Sequence, residues 1–158
     1  MREIIGVVSD SHGAFNHLYA VVQKHPELTA LLFLGDGYRD FEDLQSVVPE
    51  LTMMGVPGNC DPDCIEKNVK VFEIAGKRIL MTHGNEFYVK ITMGPLCKLA
   101  LQENAQVALY GHTHVPVVFR EPDGLLIMNP GSINEGRYGL LTIDGDTIDG
   151  ILCELPKK

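Results

Sequence analysis

The stretch IIGVVSDSHG, residues 4–13, joins a β-branched run to a short polar loop, which predicts a strand ending near Val8. Beyond the loop, apolar residues take helical spacing from Phe15 to Val22, and Pro26 ends that helix. The alternation then continues, with strands predicted at residues 30–34 and 51–54 and a helix between them at residues 41–48. A βαβαβ order of this kind is typical of a parallel sheet.

The rest of the chain predicts mainly strands, with one helix around residues 96–101. The predicted strands lie at residues 69–74, 78–81, 107–110, 117–120, 125–128, 139–143 and 148–152. Asp123-Gly124 and Asp144-Gly145 are turn-forming pairs, so we expect the C-terminal strands to be antiparallel and joined by tight turns. The pattern as a whole predicts one α/β domain over residues 1–158, built as a mixed two-sheet sandwich flanked by helices.

The composition fits one globular domain and narrows the possible partners. The 158 residues are 45% apolar and 22% charged, which suffices for a single hydrophobic core. Lys and Arg number 13 against 21 Asp and Glu, a net charge of −8. Because phosphate binding depends on clustered cations, this balance argues against a broad nucleic-acid surface or a surface for anionic membranes. A site for a phosphate ester would have to supply positive charge locally.

The cysteines and the apolar runs indicate a cytoplasmic protein. Cys60, Cys64, Cys97 and Cys153 are irregularly spaced, and the chain enters an apolar strand directly, without the anatomy of a signal peptide. Cys60 and Cys64 have no matching second pair of the kind that a zinc knuckle needs. The apolar runs are far shorter than the roughly 20 residues that cross a bilayer, so we expect no membrane span.

Metal-ligand residue types follow almost every predicted strand of the α/β unit. They are Asp10 and His12, Asp36, Asn59, His83, His112 and His114. Ligands of open α/β sheets bind at the carboxyl ends of the strands, so these loops could converge on one point. His17 and His25 fall on the first predicted helix and are expected at its surface.

Each of these motifs alone is typical of a helix cap or a turn, but their conjunction favours a metal site. Four imidazoles, two carboxylates and one amide exceed the needs of one tetrahedral zinc, and they suit two ions that share a carboxylate. Mixed nitrogen and oxygen ligands favour manganese, iron, nickel or zinc over calcium. We therefore expect two divalent ions, with manganese first among the alternatives.

Taken together, the motifs resemble those of the calcineurin-like metallophosphoesterases, in particular the small YfcE-type phosphodiesterases. The matching motifs, in family order, are Asp10-Ser11-His12, Gly35-Asp36, Gly58-Asn59-Cys60-Asp61, Thr82-His83-Gly84, Gly111-His112-Thr113-His114 and Asn129-Pro130-Gly131-Ser132. The resemblance implies a four-layer αββα sandwich. It also implies that Asp10, His12 and His114 hold one ion. Asn59, His83 and His112 would hold the other, with Asp36 bridging the two.

The resemblance further implies a phosphodiesterase in which a metal-bridging hydroxide attacks a small phosphate ester. Asp36, Asn59 and His83 are then expected to carry catalysis, and loss of Asp36 or His83 to abolish turnover. Two alternatives stay open: a phosphomonoesterase or protein phosphatase using the same site, and a non-catalytic scaffold like the retromer subunit of this fold. Relatives of this size also imply a homodimer or homotetramer.

The sequence departs from the family pattern at the edge of the predicted site. Cys60 stands where much of the superfamily has a histidine that is often assigned to leaving-group protonation, so no such general acid is assigned here. Arg39 and Asn85 replace an aspartate and a histidine of the broader pattern. Arg39, Cys60 and Asn85 are therefore expected as substrate contacts, although a solvated loop position explains Arg39 and Asn85 equally well.

Overall fold

A computed structural model of the chain describes residues 2–157 and contains two five-stranded sheets and three α-helices. The strands are β1 Arg2–Val8, β2 Ala30–Phe33, β3 Thr52–Gly55, β4 Val69–Ile74, β5 Lys77–Thr82, β6 Val107–Leu109, β7 Val117–Arg120, β8 Leu126–Asn129, β9 Arg137–Asp144 and β10 Thr147–Glu154. The helices are α1 Phe15–Lys24, α2 Tyr38–Val47 and α3 Gly94–Gln102. Single 3₁₀ turns lie at Asn85–Phe87 and Ile133–Glu135.

The first sheet has the order β10-β9-β1-β2-β3 and contains the predicted parallel unit. β1 pairs with β2 and β2 with β3, both in parallel, with Ile5 opposite Ala30 and Ala30 opposite Thr52. The β9–β10 hairpin closes the other side, because β9 runs antiparallel to β1. This confirms the βαβαβ prediction for the first third of the chain.

The second sheet has the order β4-β5-β6-β8-β7, and it corrects one expectation from the sequence. β7 and β8 form the predicted hairpin, but β8 also lies parallel to β6, with Ala108 opposite Ile127. The four C-terminal strands are therefore not one antiparallel set, since β7–β8 joins the second sheet and β9–β10 the first. Residues 130–136 connect the two sheets. Turn-forming residues alone do not distinguish such a connection from a hairpin within one sheet.

Three apolar clusters correspond to the three contacts between the four layers. The central cluster lies between the sheets and includes Ile5, Leu32, Met81 and Met128. The outer face of the first sheet packs on α1 and α2, and its cluster is centred on residues such as Leu18, Phe33, Phe41 and Leu44. The outer face of the second sheet packs on α3 through residues such as Leu80, Leu96, Ala100 and Ala108. This is the predicted αββα sandwich.

The sandwich brings the ends of both sheets together at one edge. β1, β2 and β3 run parallel in one sheet, and β5 and β6 run parallel in the other. The loops after these five strands carry all of the predicted metal-ligating residues. None of the helices between residues 2 and 157 has the length and apolar character needed to cross a membrane.

Candidate metal centre

Several residues in the loops at this edge have an unusual backbone conformation. Within residues 2–157, eight non-glycine residues have positive φ, and five of them are predicted metal ligands. These are Asp10 at 56°, His12 at 43°, Asp36 at 63°, His112 at 70° and His114 at 62°. Residues other than glycine adopt this region rarely and at an energetic cost. Their concentration at one edge marks the loops as a site whose geometry is held by the surrounding fold.

Asp10 lies at the centre of the first group of ligand atoms and is fully buried. Its Oδ2 accepts hydrogen bonds from the Ser9 hydroxyl at 2.5 Å and from the His112 backbone amide at 3.2 Å. Its Oδ1 is the one buried side-chain oxygen or nitrogen of residues 2–157 that has no hydrogen-bond partner. The Nε2 atoms of His114, His12 and His83 lie 3.2, 3.7 and 3.8 Å from that oxygen. A buried carboxylate oxygen surrounded by imidazole nitrogens is suited to an ion.

Asp36, His83 and His112 form the second group. The His83 Nε2 lies 3.2 Å from the Asp36 Oδ2 and 3.2 Å from the His112 Nδ1. The other ring nitrogen of His83, Nδ1, faces the Leu34 carbonyl oxygen at 2.7 Å. Because a carbonyl can only accept, Nδ1 is the donor and the Nε2 lone pair of the neutral ring points into the group. This is the usual way in which a second hydrogen bond orients a metal-binding imidazole.

The two groups meet at Asp36. Its Oδ2 lies 3.8 Å from the Nε2 of His12, a member of the first group. The ligand atoms of Asp10, His12 and His114 lie within 4.8 Å of one another, as do those of Asp36, His83 and His112. The sequence therefore predicted six side chains that the fold does bring together. Their nitrogen and carboxylate donors fit two divalent ions near a shared carboxylate.

The electrostatics of the second group reflect its close packing. Burial alone would raise the pKa of Asp36, but hydrogen bonds from His83 and the Cys60 amide, with the nearby imidazoles, lower that pKa to about 2. Burial opposes protonation of His83, yet the two carboxylates of Asp36 and Asp10 raise its pKa. Burial and the neighbouring His83 lower the pKa of His112. These shifts show that the carboxylates and imidazoles of the second group act strongly on one another.

Asn59 and Cys60 lie at the rim of the groups and are both exposed. The Asn59 amide nitrogen lies 3.6 Å from the Cys60 sulfur. The Cys60 sulfur in turn lies within 4.8 Å of ligand atoms of His12 and Asp36. Arg39, on the first turn of α2, and Asn85, in the turn after His83, are exposed as well. Of the three predicted substrate contacts, Cys60 is therefore the one that the structure brings next to the ligand atoms.

Asp61 organises the site, and the sequence reasoning assigned it no role. Its carboxylate accepts four backbone hydrogen bonds, which come from Asp36, Gly37, Tyr38 and Gly58 at 2.7–3.0 Å. It thereby caps the start of α2 and joins the loop of Asp36 to the loop of Asn59. Asp61 closes the Gly58-Asn59-Cys60-Asp61 motif, so its position was visible, but its partners are backbone amides that no side-chain pattern reveals.

The end of β8 and the turn after it contact the loops that carry the metal ligands. The Asn129 amide donates to the Gly111 carbonyl at 3.1 Å and to the Thr113 hydroxyl at 2.9 Å. Asn129 therefore holds the backbone of the loop that carries His112 and His114. The Ser132 hydroxyl donates to the Asp10 carbonyl at 2.8 Å. These contacts explain why this turn belongs with the metal motifs although it supplies no ligand.

Two glycines permit the close approach of the loops. A Cβ on Gly111 would lie 2.1 Å from the Ser9 hydroxyl oxygen, and a Cβ on Gly58 would lie 2.1 Å from the Asp36 Oδ1. Neither position can accept even an alanine without displacing a carboxylate or its partner. The glycine before the two histidines thus makes room for Ser9 and Asp10.

Comparisons with known proteins identify the family of the chain. Residues 4–145 match the calcineurin-like phosphoesterase superfamily domain. The probable metallophosphoesterase YsnB of Bacillus subtilis (strain 168) is 31% identical over 150 residues, which cover 89% of this chain and 84% of YsnB. Phosphodiesterase YfcE of Escherichia coli (strain K12) is 32% identical over 107 residues, which cover 58% of this chain and 53% of YfcE.

Solved structures show the same architecture. A predicted phosphoesterase from Streptococcus pneumoniae TIGR4 has a TM-score of 0.83 at 28% identity, covering 98% of this chain and 90% of that one. Vacuolar protein sorting 29 from Cryptosporidium parvum has a TM-score of 0.74 at 16% identity, covering 99% of both chains, and shows the fold alone. Since the family match spans most of the chain and YsnB is similar over most of its length, this chain belongs to the calcineurin-like phosphoesterase superfamily.

Proposed function

We propose that this protein is a phosphodiesterase that uses two divalent metal ions, manganese first among them. The observation that carries this proposal is the buried Asp10 Oδ1, which accepts no hydrogen bond from residues 2–157 and faces three imidazole nitrogens. An isolated buried carboxylate is destabilising, and a cation is the partner that this donor set suits. The phosphodiesterase named YfcE supports the choice of reaction.

The proposed roles of the residues follow from the two groups of ligand atoms. Asp10, His12 and His114 would hold one ion, and Asn59, His83 and His112 the other, with Asp36 between them. Two such ions, when bound, supply the Lewis acidity and the water activation that hydrolysis of a phosphate ester needs. For Asn59, the amide would have to turn from the Cys60 sulfur toward His83.

The chain's own groups keep this arrangement in place and set its charge. Leu34 fixes the ring of His83, and Asp61 fixes the loops of Asp36 and Asn59. Partial burial and the carboxylate of Asp36 raise the pKa of the Cys60 thiol. A thiol at this position does not replace the histidine of other superfamily members as a general acid, which favours a substrate whose leaving group needs less help or takes its proton from water.

The choice of a diester over a monoester rests on the likeness to phosphodiesterase YfcE. A phosphodiester carries one negative charge on the phosphoryl group, whereas a monoester carries nearly two at neutral pH. Besides burial and His83, Lys90 lies near enough to His112 to lower the pKa of that imidazole, so the site has some fixed positive charge of its own.

Hydrolysis of matched esters tests this function. Metal-stripped protein is assayed with bis(p-nitrophenyl) phosphate and p-nitrophenyl phosphate, with Mn²⁺, Ni²⁺, Zn²⁺ or no metal added. We expect metal-dependent cleavage of the diester well above that of the monoester. The reverse preference would identify a phosphatase on the same site. The absence of turnover with every ion would favour the scaffold, a role for which the buried carboxylates and imidazoles have no evident use.

We also propose a cytoplasmic location and self-association as a homodimer or homotetramer. All four cysteines of the chain are free thiols, which fits a reducing compartment. Self-association follows from the family resemblance, and analytical ultracentrifugation tests it directly.

A further inference from the structure

A groove beside the metal centre is a cavity that the ligand groups do not account for. It has a volume of about 820 Å³ and lies between α2, β3 and the loop at residues 60–66. This volume falls within the range of small-molecule sites, about 300–1,000 Å³. We call this cavity the α2 groove.

The α2 groove is continuous with the metal centre through Cys60. The Cys60 side chain lines the groove, and its sulfur lies within 4.8 Å of ligand atoms of His12 and Asp36. Arg39 and Asp61 line the groove as well, next to the loop that carries Asp36. A molecule bound at the ions can therefore extend into the groove past Cys60.

The walls of the groove are partly apolar. Tyr38, Met53 and Met54 line it and are half-buried, while Ile65 lies at its rim with a side chain 97% exposed. The phenol of Tyr38 adds a hydrogen-bonding group to these walls. The walls thus combine apolar contact area with a neutral hydrogen-bonding group.

The charged side chains of the groove are mainly acidic. Lys70 lies 2.6 Å from Glu66, and this ion pair neutralises both groups. The remaining charged groups are the carboxylates of Glu42, Asp61 and Asp63 and the guanidinium of Arg39. An anionic substituent would therefore be repelled from the groove, and an uncharged or cationic one would not.

We propose that the α2 groove binds the ester group that the substrate keeps after hydrolysis, because Cys60, at the entrance of the groove, is a thiol with no assigned role as general acid for a leaving group. The substrate class is then a phosphodiester with a single phosphate whose retained alcohol is cationic or uncharged and partly apolar. Nucleic acid and diesters with further phosphates are excluded, because their added charge would lie against the carboxylates of the groove. This inference rests on the proposed phosphodiesterase function.

Three p-nitrophenyl phosphodiesters that share one leaving group test the groove. Their retained alcohols are methanol, choline and glycolate, so that the bond broken is the same and only the group in the groove differs. With Mn²⁺-loaded protein, we expect kcat/KM for the choline ester to exceed that for the methyl ester by about tenfold, and the glycolate ester to fall below both. One favourable charge contact is worth about 1 kcal/mol, which corresponds to roughly a fivefold to tenfold change.

Charge reversal on α2 provides the matched variants. Glu42 lines the groove, whereas the next residue, Asp43, is also exposed but does not. We expect Glu42→Lys to lower the ratio of the choline to the methyl kcat/KM by about tenfold, while Asp43→Lys leaves that ratio near the wild-type value. A second pair of variants blocks the groove without changing its charge. Gln45→Trp replaces a residue that lines the groove, and Ser46→Trp replaces the next residue, which does not line it.

The outcomes separate this inference from the function on which it rests. Equal kcat/KM for all three diesters, or the same ratio in Glu42→Lys and Asp43→Lys, would overturn the groove proposal while the phosphodiesterase function stands. A preference for the glycolate ester would overturn it as well. If the methyl ester is not hydrolysed with any metal, the phosphodiesterase function fails and the groove proposal fails with it.

Discussion

Asp10 shows most clearly why the residues at this edge belong to a site and not to ordinary turns. A capping aspartate would use its oxygens on backbone amides, as Asp61 does with four of them. Asp10 instead keeps one oxygen without a hydrogen bond from residues 2–157, although it is fully buried. The residue types and their positions after strands were visible in the sequence. The burial and the free oxygen were not, because they depend on how the two sheets pack.

His83→Gln tests the proposed ligand role of an imidazole. We expect kcat for bis(p-nitrophenyl) phosphate to fall at least about 100-fold, because the variant loses a nitrogen that faces Asp36 and His112. The circular dichroism spectrum should stay unchanged. His25→Gln is the control, since His25 follows α1 at the opposite end of the sheet and bonds to Tyr138. Wild-type turnover in His83→Gln, or a collapsed spectrum, would contradict the assignment.

The low pKa of Asp36 predicts how the metal-free protein responds to acid. The folded protein holds the pKa of this carboxyl at about 2, below the ordinary 3.8, so its charged form stabilises the fold above about pH 3.8. That stabilisation, about 2 kcal/mol, is lost as the pH falls from about 3.8 through 2. Urea unfolding between pH 5 and 2 with a chelator present should show this loss in the wild type. The loss should be smaller by about 2 kcal/mol in Asp36→Asn, and an identical decline in both would show that Asp36 is not the group responsible.

At the level of elements, the loops after β2 and β3 act as one unit because Asp61 ties them together. Its carboxylate accepts amides from Asp36, Gly37 and Tyr38 on one loop and from Gly58 on the other. Four amides directed at one carboxylate are more than an amide side chain can satisfy. The geometry of the site therefore depends on a residue that binds no ion.

Asp61→Asn should lower the free energy of unfolding by about 3 kcal/mol and weaken metal binding, because the loops of Asp36 and Asn59 lose their common anchor. Urea unfolding and Mn²⁺ titration measure the two effects. Asp63→Asn, an exposed aspartate two residues away, should change stability by less than about 0.5 kcal/mol. Equal effects of the two substitutions would mean that the four hydrogen bonds contribute little.

The elements also show where sequence patterns stop being informative. The parallel order of β1, β2 and β3 followed from hydrophobic period and the helices between them. The placement of β8 beside β6 did not, because Leu126–Asn129 is an apolar run that fits either a hairpin or a parallel neighbour. Packing in the sandwich decides the partner of β8, which is β6. The next strand, β9, pairs with β1 in the other sheet.

For the whole molecule, the two-sheet sandwich explains how an acidic chain can be built for a phosphate ester. The net charge is −8, yet the ends of both sheets converge on a small set of imidazoles and carboxylates. Ions bound there would give the local positive charge that the rest of the surface lacks. The sequence predicted this convergence because loops after parallel strands meet at one edge. It did not predict the α2 groove, whose walls come from α2, β3 and the loop at residues 60–66, because only Cys60 and Asp61 of that loop belong to a motif.

The number of ions bound per chain tests the central claim most directly. Mn²⁺ is titrated into metal-stripped wild type and Asp36→Asn, with bound metal counted by equilibrium dialysis and the electronic coupling followed by electron paramagnetic resonance. We expect two ions per wild-type chain with a coupled signal, because Asp36 contacts both groups of ligand atoms. The coupled signal should be lost in Asp36→Asn. A wild-type chain that binds no ion, or a single uncoupled one, would contradict the dinuclear site.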